Sequence, residues 1–258
     1  MFEAPSFDGS AAEPLRCAHA MDEVWVPTAW HKELFSQNGV PAGKIYIVPE
    51  AVDPTLFAQA DDAGRARVVT GPDSEPFTFF SNFKWERRKG WDVLLEAYWR
   101  AFGVEDNVRL RIRSFVHQSN LLNKEADGDL NARVAEFATS KFGKPREELA
   151  AVEWVGDAED KRGNLLTRSE LRDELAGADA FVLPTRGEGW GLPVAEAMTM
   201  GLPTIVSNWS GPAAFATSET AYLLPVAAEL DEDLFAQPSV DALAEIFRRV
   251  YDEATDGR

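Results

Sequence analysis

The sequence has 258 residues, 45% hydrophobic and 27% charged, which is ordinary for a globular protein of one large or two small domains. Its net charge of −17 sets nucleic acid and anionic membrane surfaces aside as main partners. A single cysteine, Cys17, excludes an internal disulfide and a cysteine-rich zinc site. No apolar run approaches the roughly 18 residues of a membrane helix. The opening stretch to Pro14 has neither a basic n-region nor an apolar h-region, so no transmembrane segment or signal peptide is predicted and the expected setting is cytoplasmic.

Residues 1 to about 20 lack periodicity and read as loop. Val24 to Val26 then forms a short strand. Thr28 can cap a helix with Trp30, Leu34 and Phe35 on one face, closed by Asn38-Gly39. Ile45 to Val48 is a second strand, and residues 58 to 75 are a small, polar surface excursion. Phe77 to Ser81 is the next strand. It leads into Asn82 to Gly90, where Lys84, Arg87, Arg88 and Lys89 make four basic residues in nine. The helix from Trp91 to about Phe102 buries Leu94, Leu95, Tyr98 and Phe102. Val108 to Arg113 alternates as a strand. Residues 117 to 150 are the hardest to read, with helical spacing over Asp129 to Phe142 and a short helix beginning at Pro145. Val152 to Val155 is a strand ending at Gly156-Asp157, and Thr167 to Ala176 is a helix with a Thr167/Glu170 capping box.

The stretch Ala180 to Phe215 carries the most chemistry. Ala180 to Leu183 is a buried strand, a loop follows with Gly187, Gly189 and Gly191, and a short apolar helix runs from Pro193 to Gly201. A glycine-rich connection between strand and helix turns backbone N–H groups towards an anion at the positive end of the helix dipole. Glu188 and Glu196 border that place, and carboxylates there would accept hydrogen bonds from hydroxyls rather than hold phosphate. The combination reads as a nucleotide-sugar pocket. The plain alternative is a solvated loop glutamate and a helix-dipole charge. The basic loop at Lys84 to Lys89 is the second constellation, able to hold phosphate, its own plain alternative being a solvated loop.

Pro203 to Ser207 and Ala221 to Pro225 are further strands, and Ser239 caps a long amphipathic helix through Tyr251. Alternating strands and helices predict an α/β fold, a Rossmann-like doubly wound parallel sheet. The acidic stretches at Asp127 and Asp231 read as solvated charge, and His19, His31 and His117 show no ligand spacing, so no metal is expected.

The string Pro184-Thr-Arg-Gly-Glu-Gly-Trp-Gly-Leu-Pro-Val-Ala-Glu-Ala-Met198, followed by Gly201-Leu-Pro, resembles the signature of retaining GT-B glycosyltransferases of the family 4 type, whose two glutamates are separated by seven residues. The resemblance implies a metal-independent enzyme without cofactor. It would move a sugar from a nucleotide-diphosphate-sugar donor to a glycan, lipid or protein acceptor. It assigns Glu188 to the sugar hydroxyls and Glu196 to the ribose, with Gly187, Gly189, Trp190, Gly191 and Leu192 around the diphosphate. Val155 and Gly156 fall beside the base. Lys84 and Lys89 would hold the diphosphate and neutralise the departing nucleotide, Lys84 standing where the family usually has arginine.

Pro49 to Asp53 with Phe57 is similar to the family's hinge, with Glu50-Ala51 in place of Asn-Gly. Residues 1–57 then correspond to the end of an N-terminal acceptor domain and 58–258 to the donor-binding domain. Most of the acceptor domain would be missing, the chain being either a fragment or a donor-binding half that works with another polypeptide. The loop from Asn208 to Pro212 lacks the acidic residue that family members often carry there. Two other readings stay open: a nucleotide-sugar-binding module without turnover, and glycoside hydrolysis by Glu188 and Glu196, which the neighbouring lysines disfavour.

Overall fold

A computed structural model describes residues 12–58, 75–115, 130–155, 167–231 and 235–255. Two parallel sheets organise them. The smaller pairs β1 (Val24–Val26) with β2 (Ile45–Ile47). The larger contains β3 (Phe77–Lys84), β4 (Val108–Phe115), β5 (Ala151–Val155), β6 (Ala180–Leu183), β7 (Thr204–Ser207) and β8 (Tyr222–Leu224), in the order β5-β4-β3-β6-β7-β8. Every pairing in it is parallel. Counted from β3, this is the doubly wound order 3-2-1-4-5-6, and the direction of winding reverses between β3 and β6.

The helices are α1 (Ala12–Ala20), α2 (Ala29–Gln37), α3 (Trp91–Ala101), α4 (Leu130–Phe142), α5 (Arg168–Ala176), α6 (Leu192–Thr199) and α7 (Val240–Thr255). Their ends follow the local chemistry of the sequence. The Thr28 side chain accepts from the N–H of His31, and Thr167 and Glu170 form a full capping box. Ser239 Oγ accepts from the N–H of Ala242 at the start of α7. The expected loop over residues 1–20 is instead helical over Ala12–Ala20. That segment has nine residues, shorter than the span over which apolar spacing can be counted, although Leu15 and Ala18 do turn to a small core. Lys44 holds its C-terminal end, donating to the carbonyls of His19 and Met21 at 2.7 and 2.8 Å.

The main core lies on both faces of the large sheet, as a parallel sheet requires. On one face α3 and α7 close over β3, with the rings of Phe79 and Phe247 4.7 Å apart. Phe57, fully buried, belongs to this core together with the half-buried Val52 and Leu56. A separate small cluster, Ala18, Val26, Phe35, Val40 and Ile45, sits under the β1–β2 sheet. The other side of that sheet leaves Trp25 67% and Tyr46 48% exposed.

Candidate functional site

The winding reverses between β3 and β6, and in open α/β sheets ligands bind outside the carboxyl ends of the strands at such a point. The basic loop and the glycine loop are the segments that leave β3 and β6. β3 runs three residues beyond its expected end, so Lys84 is its last residue and the basic turn starts at once. Gly90 ends that turn at φ 72°, and a Cβ on it would stand 2.0 Å from the carbonyl oxygen of Pro184. Only glycine allows the two loops this contact.

Arg186 locks them further. It is 4% exposed, its guanidinium donates to both carboxylate oxygens of Asp92 at 2.7 and 2.8 Å, and it also donates to the Arg87 carbonyl at 2.7 Å. Its own N–H donates to the Arg88 carbonyl at 2.7 Å. A planar fork on a carboxylate fixes direction as well as distance.

Within this frame lies Glu188, only 4% exposed. Lys89 Nζ is 2.5 Å from its Oε1, and Arg88 Nη1 is 3.3 Å from its Oε2. Arg88 reaches on to the Gly187 carbonyl and to Glu86, which also pairs with Lys84. The charges therefore alternate along Lys84, Glu86, Arg88, Glu188 and Lys89. Burial pushes the Glu188 carboxyl up, but the Lys89 ammonium and the Arg88 guanidinium outweigh it. With hydrogen bonds from Lys89 and Thr185, they hold the group below the usual carboxylate range.

The glycine loop leads directly into α6. Gly191, at φ 96°, precedes it, and no side chain caps it, while the N–H groups of Val194 and Ala195 turn back to the Gly191 carbonyl. Glu196 is 4% exposed and pairs with Arg168 Nη2 at 3.0 Å. Burial raises its carboxyl above the usual value, with Arg168 offsetting part of the rise. The Arg168 guanidinium lies 5.2 Å from the centre of the Phe57 ring. Trp190 packs its ring against Phe215 at 4.8 Å.

The structure thus brings Lys84, Lys89, Gly187, Glu188, Gly189, Trp190, Gly191 and Leu192 to one end of the sheet. It pairs Lys89 with Glu188 directly. Glu196 lies on α6 and has a separate cation, Arg168 at the start of α5. Val155 ends β5, three places along the sheet from β6, and Gly156 lies outside the described residues. Sequence reasoning missed Arg88, Arg168, Arg186 and Ser210 as site residues. Arg88 was readable as part of the basic run, whereas nothing in the spacing marks Arg186 as buried or Arg168 as a partner of Glu196. Among the described residues no group of three or more His, Cys, Asp or Glu side chains gathers for a metal ion, and no helix is long and apolar enough to cross a membrane.

Comparison with known proteins bears on the family and the fold. Residues 75–251 match the family model described as "Glycosyl transferases group 1". The D-inositol 3-phosphate glycosyltransferase of Kineococcus radiotolerans is 25% identical over 214 residues, 81% of this chain and 45% of that protein. The mannosylfructose-phosphate synthase of Agrobacterium fabrum is 24% identical over 180 residues, 69% of this chain and 36% of that protein. The chain therefore spans less than half the length of these curated relatives. Among solved structures, sucrose-phosphate synthase from Thermosynechococcus elongatus superposes with a TM-score of 0.65 at 22% identity, covering 93% of this chain and 52% of that one. Anabaena HepE in complex with UDP and glucose does so with a TM-score of 0.65 at 13% identity, covering 95% and 61%. These likenesses are in fold: the Rossmann-like sheet found in GT-B glycosyltransferases.

Proposed function

The chain belongs to the glycosyl transferases group 1 family, and from that premise we propose that it carries the donor half of a retaining glycosyltransferase. In this reading it binds a nucleotide-diphosphate-sugar at the carboxyl ends of β3 and β6. The observation that carries the reading is the meeting of Lys89 and Arg88 with Glu188 beside the uncapped start of α6. Two cations and a helix N-terminus suit a diphosphate, and a carboxylate beside them suits sugar hydroxyls.

Transfer breaks the bond between the sugar's anomeric carbon and the diphosphate oxygen and forms one to an acceptor hydroxyl on the same face. The hydroxyl proton passes to the leaving diphosphate. The protein's part is to position the partners and to stabilise the developing charge. Lys89 and Lys84 neutralise the diphosphate, Glu188 orients the sugar, and Glu196 takes the ribose hydroxyls. Donor binding exchanges the Glu188 carboxylate on Lys89 for phosphate oxygens. No metal or cofactor has a part in this scheme.

The acceptor is then held by an α/β unit that extends the β1–β2 sheet. Among the described residues, a parallel sheet of two strands with Trp25 and Tyr46 outward is not covered in the way parallel sheets are, and the relatives are more than twice as long as the segment matched here. The same fact favours a second reading, a nucleotide-sugar-binding module that turns over only when that unit is supplied.

Calorimetric titration with UDP, GDP and ADP and their sugar conjugates tests the donor site, with Lys89→Ala and Glu196→Ala alongside. Binding specific to one nucleotide and lost in both variants supports it. A folded chain that binds none overturns it.

A further inference from the structure

We propose that Ser210 is a positioning residue for Glu188, fixing the peptide from which that carboxylate meets the donor sugar; its role towards the sugar rests on the donor site proposed above. Ser210 is the one non-glycine residue with positive φ among the described residues, at φ 54° and ψ −136°. A side chain rarely adopts this backbone conformation, and one that does at a functional loop points to what the side chain contributes. Ser210 is buried, and its Oγ accepts the N–H of Glu188 at 2.9 Å. The next residue completes the grip, because the Gly211 N–H donates to the Glu188 carbonyl at 3.1 Å. Both polar groups of the Glu188 backbone are thus held by consecutive residues of the loop after β7. A Cβ on Gly211 would stand 2.4 Å from the Gly189 carbonyl oxygen, so the two loops are in direct contact.

Glycine would sit at position 210 without strain, so what the serine adds is its hydroxyl. That contribution is geometric rather than electrostatic. The charged groups facing the Glu188 carboxylate are Lys89 and Arg88, both from the turn after β3. The loop from Asn208 to Phe215 brings no charged side chain. It is braced from behind by Trp209, whose ring lies 6.4 Å from that of Trp30 on α2. Ser210 therefore holds the Glu188 peptide while the cations hold its carboxylate.

The test uses Ser210→Gly, which relieves the backbone and removes the hydroxyl, and Ser210→Ala, which removes only the hydroxyl. In both variants amide exchange at Glu188 is expected to quicken by about tenfold, the scale of one lost hydrogen bond. The NMR titration of the Glu188 carboxyl is expected to move up towards an ordinary glutamate as its contacts with Lys89 and Arg88 loosen. Ser210→Gly should melt no lower than the wild type. Unchanged exchange and an unchanged titration in both variants would overturn the proposal. A ligand arm separates this role from the donor reading. Ser210→Gly should keep the wild-type affinity for the free nucleotide and lose about fivefold or more of the affinity for its sugar conjugate. Equal losses for both ligands would overturn the role towards the sugar. Quicker exchange and a moved titration in the two variants, with a wild-type chain that binds no nucleotide-sugar, uphold the hold on Glu188 and overturn the donor reading instead.

Discussion

Glu188 Oε1 lies 2.5 Å from Lys89 Nζ, across 99 residues of chain. The pair joins the two loops that leave the sheet where its winding reverses, and Arg88 stands 3.3 Å from the other carboxylate oxygen. Its geometry depends on contacts further back: Gly90 against Pro184, Arg186 against Asp92, and Ser210 against the Glu188 peptide. Removal of any of these supports should be felt at the pair.

Glu188→Gln keeps the shape and removes the charge. Lys89, 11% exposed at its side chain, then loses its carboxylate, whereas Arg88 keeps Glu86. Breaking a buried pair costs about 3–5 kcal/mol, and the partner left to Arg88 puts the expected loss at the low end, about 3 kcal/mol. Turnover of the donor, measured with the acceptor unit present, should fall by about a hundredfold or more, as when a charge-positioning group is lost elsewhere. Denaturant unfolding and an initial-rate assay check the two effects.

Gly90→Ala tests the contact between the loops. The added Cβ meets backbone, the carbonyl of Pro184, at a residue with φ 72°. A backbone carbonyl cannot yield as a flexible side chain would, so the loss of stability should exceed about 2 kcal/mol. Gly43→Ala is the control, since a Cβ there meets nothing within 4 Å. Its effect should stay within about 0.5 kcal/mol. Equal midpoints for the two variants would contradict the close approach.

Most of this architecture was legible in the sequence, because short apolar runs alternating with amphipathic segments leave few topologies open. The strands from Phe77, Val108 and Ala180 and the caps at Thr28 and Thr167 follow from spacing and side-chain chemistry alone. The helix Ala12–Ala20 was hidden because its nine residues fall short of the window over which apolar spacing is counted. The loops after β3 and β6 could be marked as chemical, but sequence could not show that they touch. That contact depends on strand order, a long-range property. Arg186 illustrates the limit: between Thr185 and Gly187 it looks like a solvated charge, and only Asp92, 94 residues away, explains its burial.

Arg186→Lys should separate charge from geometry at that buried pair. Lysine keeps the positive charge but cannot engage both oxygens of Asp92 and the Arg87 carbonyl with a rigid fork. A loss of about 2 kcal/mol or more is expected, with weaker nucleotide binding because Lys89 and Arg88 sit on the loop that Arg186 holds. A double-mutant cycle with Asp92→Asn should give a coupling of about 1–3 kcal/mol. Additive losses would mean that the fork does not hold the loop.

The two glutamates should give the stability of the protein opposite responses to pH. Lys89 and Arg88 more than offset burial at Glu188 and hold its carboxyl below 4.5. Its contribution is therefore complete above the unfolded value and is lost as pH falls through the folded one. Glu196 is held above 4.5 by burial, which Arg168 only partly offsets. The charged form is the costly one there, so stability is withdrawn as pH climbs from 4.5 through its folded value. Denaturant midpoints at roughly pH 3.5, 4.5, 5.5 and 7 separate the two. Glu188→Gln should flatten the wild-type fall on the acid side and leave the neutral side parallel to it. Glu196→Gln should track the wild type in acid and gain on it towards neutral pH. The reverse assignment would mean that the Lys89 and Arg88 contacts do not outweigh the burial of Glu188.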